Sequence, residues 1–280
     1  MFTPFKEGDV DLETFAATVR RQVSGGVDFL VPLGTTGETP TLTDQEKLNV
    51  FRTARENAPG LPIMVGVGTN SVAGTLANMQ LLEEADAFLV VVPYYNKPPQ
   101  RGMYEYFKTI AAVTSKPVFI YNVPGRTGAN IDSATTLALA RDIPNIAGIK
   151  EASGKKDQIL EILAGRPEGF SVLSGNDDDT LFMMKNGADG VISVASNIAP
   201  REMSSFVGAA ADGRMDEAAA MEERLRELFR VLFIEPNPIP GKAAMARLGL
   251  MENSLRLPLV PATAKTEGII AQTLEELWKK

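Results

Sequence analysis

The stretch NIAGIKE at residues 145–151 decides the fold, because it is an apolar run that ends in two adjacent charged residues. Short, near-continuous apolar runs are typical of strands that are buried on both faces of a parallel sheet. Similar runs lie at residues 27–33, 62–68, 87–93, 117–123, 170–175 and 189–195. Segments with helical spacing of apolar residues separate them. The sequence therefore predicts seven strands that alternate with helices.

Alternating strands and helices leave two architectures, an open doubly wound sheet and a closed (β/α)8 barrel. The barrel needs an eighth strand, and MFTPF at residues 1–5 resembles the end of one, so we expect a truncated first strand. Helical patterns are predicted at 12–24, 214–233, 241–249 and 262–279, with a capping box of Thr43 and Glu46 opening another helix. The expected fold is an α/β TIM barrel over 1–212 followed by a C-terminal helical region over 213–280.

Composition excludes several classes of protein. The 280 residues are 44% hydrophobic and 22% charged, and no apolar run approaches the ~18 residues of a membrane helix. The net charge of −7 repels phosphates, so we expect neither a nucleic-acid nor a membrane partner. The first residues lack a secretory signal pattern, which predicts a cytoplasmic protein.

The chain contains no Cys and no His. Thiol nucleophiles, His-containing catalytic triads and zinc sites built from His or thiolate are therefore excluded. If the protein is an enzyme, its chemistry must come from Lys, Tyr, Thr, Asp or Glu.

Lys150 is the first candidate, because the active site of a parallel α/β barrel lies at the C-terminal ends of the strands. It follows four apolar residues, and desolvation there favours the neutral, nucleophilic amine. The alternative is that Lys150 only pairs with Glu151 to support the fold. Successive strand residues point to opposite faces, which makes that pair geometrically awkward.

Further candidates follow the neighbouring strands, and each leaves an alternative open. Tyr121 is either a general acid or base or a core tyrosine. Arg126 is either a bidentate clamp for a substrate carboxylate or a solvated loop charge. The turn GTTGE at residues 34–38 is either a tight connection or a carboxylate site made of N–H groups and two hydroxyls.

The acidic run at residues 177–179 suggests a metal site. Acidic residues that open a helix are more often caps, and no His completes a metal site here. We therefore expect a helix start and no bound metal.

Six motifs together resemble the dihydrodipicolinate synthase family, also called 4-hydroxy-tetrahydrodipicolinate synthases, over essentially the whole chain. They are GTTGE (34–38), PYYNKP (93–98), YNVPGRTG (121–128), GIKEASG (148–154), GVISVASN (190–197) and EPNPIP (235–240). GTTGE and the lysine are shared with other pyruvate-dependent class I aldolases, including N-acetylneuraminate lyase. The arginine of YNVPGRTG and the EPNPIP motif indicate the synthase.

The resemblance implies a lyase in which Lys150 forms a Schiff base with pyruvate. The resulting enamine would attack L-aspartate 4-semialdehyde, and cyclisation would give 4-hydroxy-tetrahydrodipicolinate. This is the first committed step towards diaminopimelate and lysine, and the family needs no cofactor. Thr35, Tyr121 and Tyr95 would form a proton relay.

The same resemblance implies how the substrates are held. Thr35 and Thr36 would bind the pyruvate carboxylate, Arg126 the carboxylate of the semialdehyde, and the backbones of Gly175 and Ile192 would line the pocket. Tyr95 would reach into the site of a neighbouring subunit. The expected assembly is therefore a homo-oligomer, a tetramer arranged as a dimer of dimers.

Two rival functions remain at this stage. One is another pyruvate-dependent aldolase that acts on a 2-keto-3-deoxy sugar acid, against which Arg126 argues. The other is a non-catalytic barrel that binds a keto acid, which the short first strand makes conceivable.

Regulation by lysine is predicted to be weak or absent. Many bacterial members of the family are inhibited by lysine at a dimer-interface site that contains histidines and a glutamate. Asp44 and Lys47 stand where the histidines would be, and Gly74 where the glutamate would be, although Asn70 and Tyr94 match that site. A titration of the initial rate with L-lysine tests this, and strong inhibition at low lysine concentration would contradict it.

Overall fold

The computed structural model describes residues 1–279. The strands are β1 (Phe5–Lys6), β2 (Asp9–Val10), β3 (Met64–Gly66), β4 (Ala87–Val91), β5 (Val118–Asn122), β6 (Ile146–Glu151), β7 (Ser171–Ser174) and β8 (Gly190–Val191). The helices are α1 (Leu12–Gly25), α2 (Asp44–Asn57), α3 (Val72–Leu81), α4 (Gln100–Ala111), α5 (Pro124–Thr127), α6 (Ser133–Asp142), α7 (Lys156–Gly165), α8 (Thr180–Lys185), α9 (Pro200–Ala211), α10 (Met215–Val231), α11 (Ile239–Arg247) and α12 (Ala264–Leu277).

The predicted helices are confirmed within about two residues at most of their ends. The predicted capping box is also present, since Glu46 donates its N–H to Thr43 Oγ1 while the Glu46 carboxylate accepts the Thr43 N–H at 2.8 Å. These bonds satisfy amides that no helical carbonyl can reach, which fixes the start of α2.

Two predicted strands differ from the structure. The run at 27–33 forms only an isolated parallel bridge between Leu30 and Ile63. Pro32 has no N–H to donate, and Leu33 adopts a left-handed conformation at φ 58°, so the extended backbone cannot continue there. The start of the chain forms β1, which pairs in an antiparallel hairpin with β2.

The chain divides into two compact units, and one of them runs from Met64 to Ile192. It contains a six-stranded parallel sheet in the sequential order β3 to β8. Helices connect the strands, and α3, α4, α6 and α7 pack against one another in succession. Val90, Ile120 and Ile149 are fully buried, as expected for strands covered on both faces.

The other unit comprises Met1–Ile63 and the chain from Ser193 onward. In it, α1 packs against α2 and α9, α10 packs against α9 and α12, and α11 packs against α12. The predicted domain division after residue 212 stays a prediction.

A buried ion pair lies inside this second unit. Lys242 Nζ lies 2.5 Å from Glu38 Oε1, and both side chains are 0% exposed. The same ammonium donates to the Ser254 carbonyl at 2.8 Å and stands 4.1 Å from the centre of the Phe5 ring. Burial lowers the pKa of Lys242, while the hydrogen bond to Glu38 opposes that shift. The pair thus holds a turn, a hairpin strand and a helix together.

Arg256 reinforces this contact. Its backbone N–H donates to Glu38 Oε2 at 3.0 Å, and its guanidinium lies 4.5 Å from the centre of the Phe5 ring and pairs with Glu46. The hydrogen bond from Arg256 is the largest cause that lowers the pKa of Glu46 to about 2. Further bonds run from Arg256 to the carbonyls of Gly8 and Thr41.

Replacing Gly148 by alanine is expected to destabilise the sheet unit. A Cβ there would lie 2.5 Å from both the Ser171 carbonyl oxygen and Phe119 Cε1. Overpacking of this kind costs roughly 1–3 kcal/mol. Gly268→Ala is the matched control, because a Cβ at residue 268 would meet nothing within 4 Å. Since Gly268 lies inside helix α12, this substitution should stabilise the helix by about 0.5–1 kcal/mol. Denaturant unfolding of both variants tests this, and an undiminished midpoint for Gly148→Ala would contradict it.

Lys242→Met is expected to lower the free energy of unfolding by about 3–5 kcal/mol, because it leaves the Glu38 carboxylate buried without its cation. The double variant Lys242→Met/Glu38→Gln should recover part of that loss. Lys108→Met is the control, since its pair with Glu105 is solvent-exposed and contributes less than about 1 kcal/mol. Equal thermal midpoints for Lys242→Met and Lys108→Met would refute the expectation.

Candidate active site

Lys150 and Tyr121 lie side by side in the sheet unit. Residues Tyr121 and Lys150 are register partners in the parallel pairing of β5 with β6. Laterally paired residues of neighbouring strands point to the same face. Lys150 Nζ accordingly lies 4.3 Å from the centre of the Tyr121 ring, and these residues are only 9% and 8% exposed. The arrangement offers a poorly solvated amine next to a phenol.

Glu151 points to the opposite face and does not use Lys150 as its partner. Its carboxylate accepts the Ser153 N–H at 2.7 Å and also accepts from Asn122 Nδ2 and Gln158 Nε2. Burial raises the pKa of Glu151, and these hydrogen bonds oppose that shift. The Lys150 amine therefore lies on the same face of the sheet as Tyr121 and is not paired with Glu151.

Gly175 lies directly beside Lys150. A Cβ on Gly175 would lie 3.2 Å from Lys150 Cε and 2.6 Å from Ala152 Cβ, so a glycine keeps the space next to the amine open. Ile192, which is 8% exposed, follows β8 and donates its N–H to the Ser174 carbonyl at 2.9 Å. The structure thus brings Lys150, Tyr121 and Gly175 together.

Arg126 is exposed on the one-turn helix α5, which begins directly after β5. Pro124 opens this helix, and Gly128 ends it in a left-handed conformation at φ 68°. Thr127 Oγ1 donates to the Ala129 carbonyl at 2.7 Å, which closes the turn. A short and locally hydrogen-bonded segment therefore carries the guanidinium.

Tyr95 has the most exposed large side chain among the aromatic residues described, at 87%. Its backbone is left-handed at φ 71°, an uncommon conformation for a residue other than glycine. Two hydrogen bonds hold Tyr95 and Asn96 in place. Tyr95 donates its N–H to the Thr127 carbonyl at 3.2 Å, and Asn96 Nδ2 donates to the Asn70 carbonyl at 2.8 Å. The ring is thus directed into solvent by a fixed backbone.

The GTTGE turn belongs to the unit that contains residues 1–63. Thr35–Gly37 forms one turn of 3-10 helix, and Glu38, at φ 52°, ends it by donating its N–H to the Thr35 carbonyl. Asn237 Nδ2 donates to Thr36 Oγ1 at 2.9 Å. The backbone of this turn is therefore closed by Glu38, and Asn237 of the EPNPIP segment holds the hydroxyl of Thr36.

The acidic run forms a 3-10 turn, Asp177–Asp179, that leads into α8 at Thr180. Burial and the neighbouring charge of Asp179 raise the pKa of Asp178. Over residues 1–279 there is no group of three or more acidic or metal-binding side chains placed to hold a metal ion. Within the same residues, no helix has the length and apolar character needed to cross a membrane.

Sequence reasoning assigned no role to Glu38 or Lys242 and considered Glu151 only as a partner for Lys150. A usable signal existed for Lys242, because it is the one charge within an otherwise small and apolar stretch at 239–246. A lysine in such a stretch is rarely buried unless it is paired. Its partner lies 204 residues away in the chain, 242 minus 38, and no local pattern identifies it.

Known proteins resemble this chain along its whole length. Residues 1–277 match the dihydrodipicolinate synthetase family. The 4-hydroxy-tetrahydrodipicolinate synthase of Thermotoga neapolitana is 45% identical over 98% of this chain and 95% of its own length. The crystal structure of dihydrodipicolinate synthase from Thermotoga maritima is 43% identical, with a TM-score of 0.98 over 99% of this chain and 96% of that one.

A further solved structure, described as a monomeric dihydrodipicolinate synthase variant, has a TM-score of 0.98 at 43% identity and covers 99% of this chain and 94% of that one. Likeness of this extent confirms the predicted α/β class, a (β/α)8 barrel with a helical C-terminal part. Together with the matching sequences, it shows that the chain is an enzyme and belongs to the dihydrodipicolinate synthetase family.

Proposed function

We propose that this enzyme condenses pyruvate with L-aspartate 4-semialdehyde to 4-hydroxy-tetrahydrodipicolinate, with Lys150 as the nucleophile. The observation that carries the proposal is the buried Lys150 amine beside the Tyr121 ring, in a chain without His or Cys. The names of the relatives support the same reaction. The activity places the enzyme at the first committed step of diaminopimelate and lysine biosynthesis.

The proposed reaction begins when the amine attacks the ketone carbon of pyruvate. Loss of water gives a protonated Schiff base, and loss of a methyl proton converts it to an enamine. The enamine carbon then attacks the aldehyde carbon of the semialdehyde and forms the new carbon–carbon bond. Finally, the amino group of the second substrate attacks the Schiff-base carbon, which closes the ring and releases Lys150. One water is lost overall, and no cofactor takes part.

Tyr121, Thr35 and Tyr95 are proposed to relay the protons of these steps. The Tyr121 ring centre lies 4.3 Å from the Lys150 amine, which places a phenol beside the reacting group and supports this role. The hydroxyls of Thr35 and Thr36, on their fixed 3-10 turn, are proposed to hold the pyruvate carboxylate.

Arg126 is proposed to bind the carboxylate of the semialdehyde. Its guanidinium is exposed on a short helix and can form a bidentate contact. Both substrates carry a carboxylate, and the chain has a net charge of −7, so local cations are needed to bind these groups. The backbones of Gly175 and Ile192 are proposed to line the pocket.

We also propose a homo-oligomer, a tetramer built as a dimer of dimers, in the cytoplasm. The rigidly held and highly exposed Tyr95 supports an interface at which its ring enters the site of a neighbouring copy. A ring that is 87% exposed gains stability when a partner covers it.

Trapping with borohydride tests the proposed function. Reduction of the Schiff base should add to each chain the mass of pyruvic acid less one oxygen, and a peptide map should place the adduct on Lys150. The Lys150→Arg variant should form no adduct, and its kcat should fall by about 10³-fold or more. The nearby control Lys155→Arg should still form the adduct and keep the wild-type kcat.

Two outcomes would overturn the proposal. An adduct on Lys150 without condensation with aspartate semialdehyde, but with cleavage of a 2-keto-3-deoxy sugar acid, would indicate the other aldolase. Pyruvate binding without any adduct in folded protein would indicate a non-catalytic keto-acid-binding barrel.

A further inference from the structure

Glu151 carries a buried carboxylate, 1% exposed, that the proposed reaction does not use. It directly follows Lys150 on β6 and faces the other way. Three neutral residues donate hydrogen bonds to it: Ser153 N at 2.7 Å, Gln158 Nε2 at 3.2 Å, and Asn122 Nδ2, which lies 3.0 and 3.2 Å from the two oxygens. A buried carboxylate that is satisfied by neutral donors is costly to maintain, so its position calls for an explanation.

Asn122 connects this carboxylate to the segment at residues 123–131, which carries Arg126 and is called the Arg126 segment below. It is fully buried, ends β5 next to Tyr121 and is the register partner of Glu151. Its Oδ1 accepts the Ile131 N–H at 3.3 Å, and its Nδ2 also lies 3.1 Å from Asn130 Oδ1. One side chain therefore joins the two ends of the segment 123–131.

Gln158 of α7 provides the second connection. Its Nε2 donates to the Ile131 carbonyl at 3.2 Å as well as to Glu151, and its Oε1 accepts from Asn130 Nδ2 at 2.9 Å. The end of the Arg126 segment is thus held from β5 and from α7, and both supports meet at the same carboxylate.

A carboxylate at this position suits this role for a simple reason. A carboxylate only accepts hydrogen bonds, so it can take Ser153 N–H, Asn122 and Gln158 together. A glutamine in its place would bring an NH2 group against these donors and would leave at least one of them without an acceptor.

We propose that Glu151 is a positioning residue whose carboxylate fixes the segment that carries Arg126, and so sets how the enzyme binds its second substrate. The proposal rests on the proposed function, in which Arg126 binds the carboxylate of aspartate semialdehyde. Lys150 and Tyr121 are also held by the strand pairing, so the step with pyruvate depends less on Glu151.

The test compares Glu151→Gln with the wild type in two assays. Steady-state kinetics should show a KM for aspartate semialdehyde raised about 10-fold or more, because displacement of a substrate-binding group by about 1 Å has effects of this order. Borohydride trapping of pyruvate on Lys150 should change by less than about 3-fold. Asp189→Asn is the matched control, since its carboxylate also accepts a backbone N–H in the same sheet, from Val172, and should leave this KM unchanged.

A rescue variant separates positioning from general stability. Glu151→Gln/Gln158→Glu returns one carboxylate to the same cluster and should restore the KM towards the wild-type value. If Glu151→Gln does not fold, Asn130→Ala loosens the end of the segment without changing a strand and should raise the same KM by a smaller factor.

Each remaining outcome is decisive. A Glu151→Gln protein with a lower melting temperature but a wild-type KM and kcat in its folded fraction would refute positioning. Equal loss of pyruvate trapping and of semialdehyde binding would refute the selective effect. Absence of trapping in the wild type would instead refute the proposed function, and the inference about Glu151 would fall with it.

Discussion

The register between β5 and β6 is the constraint on which the proposed chemistry depends. Tyr121 pairs with Lys150, and the next residues, Asn122 and Glu151, pair with each other. Since side chains alternate between faces, one register places an amine and a phenol on one side and a carboxylate and an amide on the other. A slip of one residue would exchange these roles, because it reverses which face each side chain occupies. The packing of the sheet and the chemistry are therefore specified by the same backbone hydrogen bonds.

The two faces of the β5–β6 strand pair differ in the charged group that each one buries. On one face, Lys150 is only 9% exposed, and its amine lies beside the Tyr121 ring. On the other, a buried carboxylate accepts from neutral donors, so it takes no cation away from the carboxylates of the substrates. A chain without histidine thus separates the amine of Lys150 from the carboxylate of Glu151 by the thickness of one strand.

The sequence predicts those features that depend on neighbours in the chain. The capping box of Thr43 and Glu46 located the start of α2, and the apolar run before Lys150 located the end of a strand. The prediction of a strand at 27–33 was wrong, because apolar composition does not reveal the left-handed conformation of Leu33. The partner of Lys242 could not be predicted, since contacts between distant segments leave no local pattern. The motifs indicated the site residues through resemblance, and their roles remain proposals.

The contact among Glu38, Lys242 and Arg256 also has a consequence for synthesis of the protein. Glu38 leaves the peptidyl transferase centre 204 residues before Lys242, 242 minus 38. At ~5–20 residues per second this interval is roughly 10–40 s. Throughout it the Glu38 carboxylate has no counter-ion to accompany it into the interior, so the turn that carries Thr35 and Thr36 cannot reach its final form. A ribosome-bound nascent chain therefore completes the turn that carries Thr35 and Thr36 only after Lys242 has been synthesised.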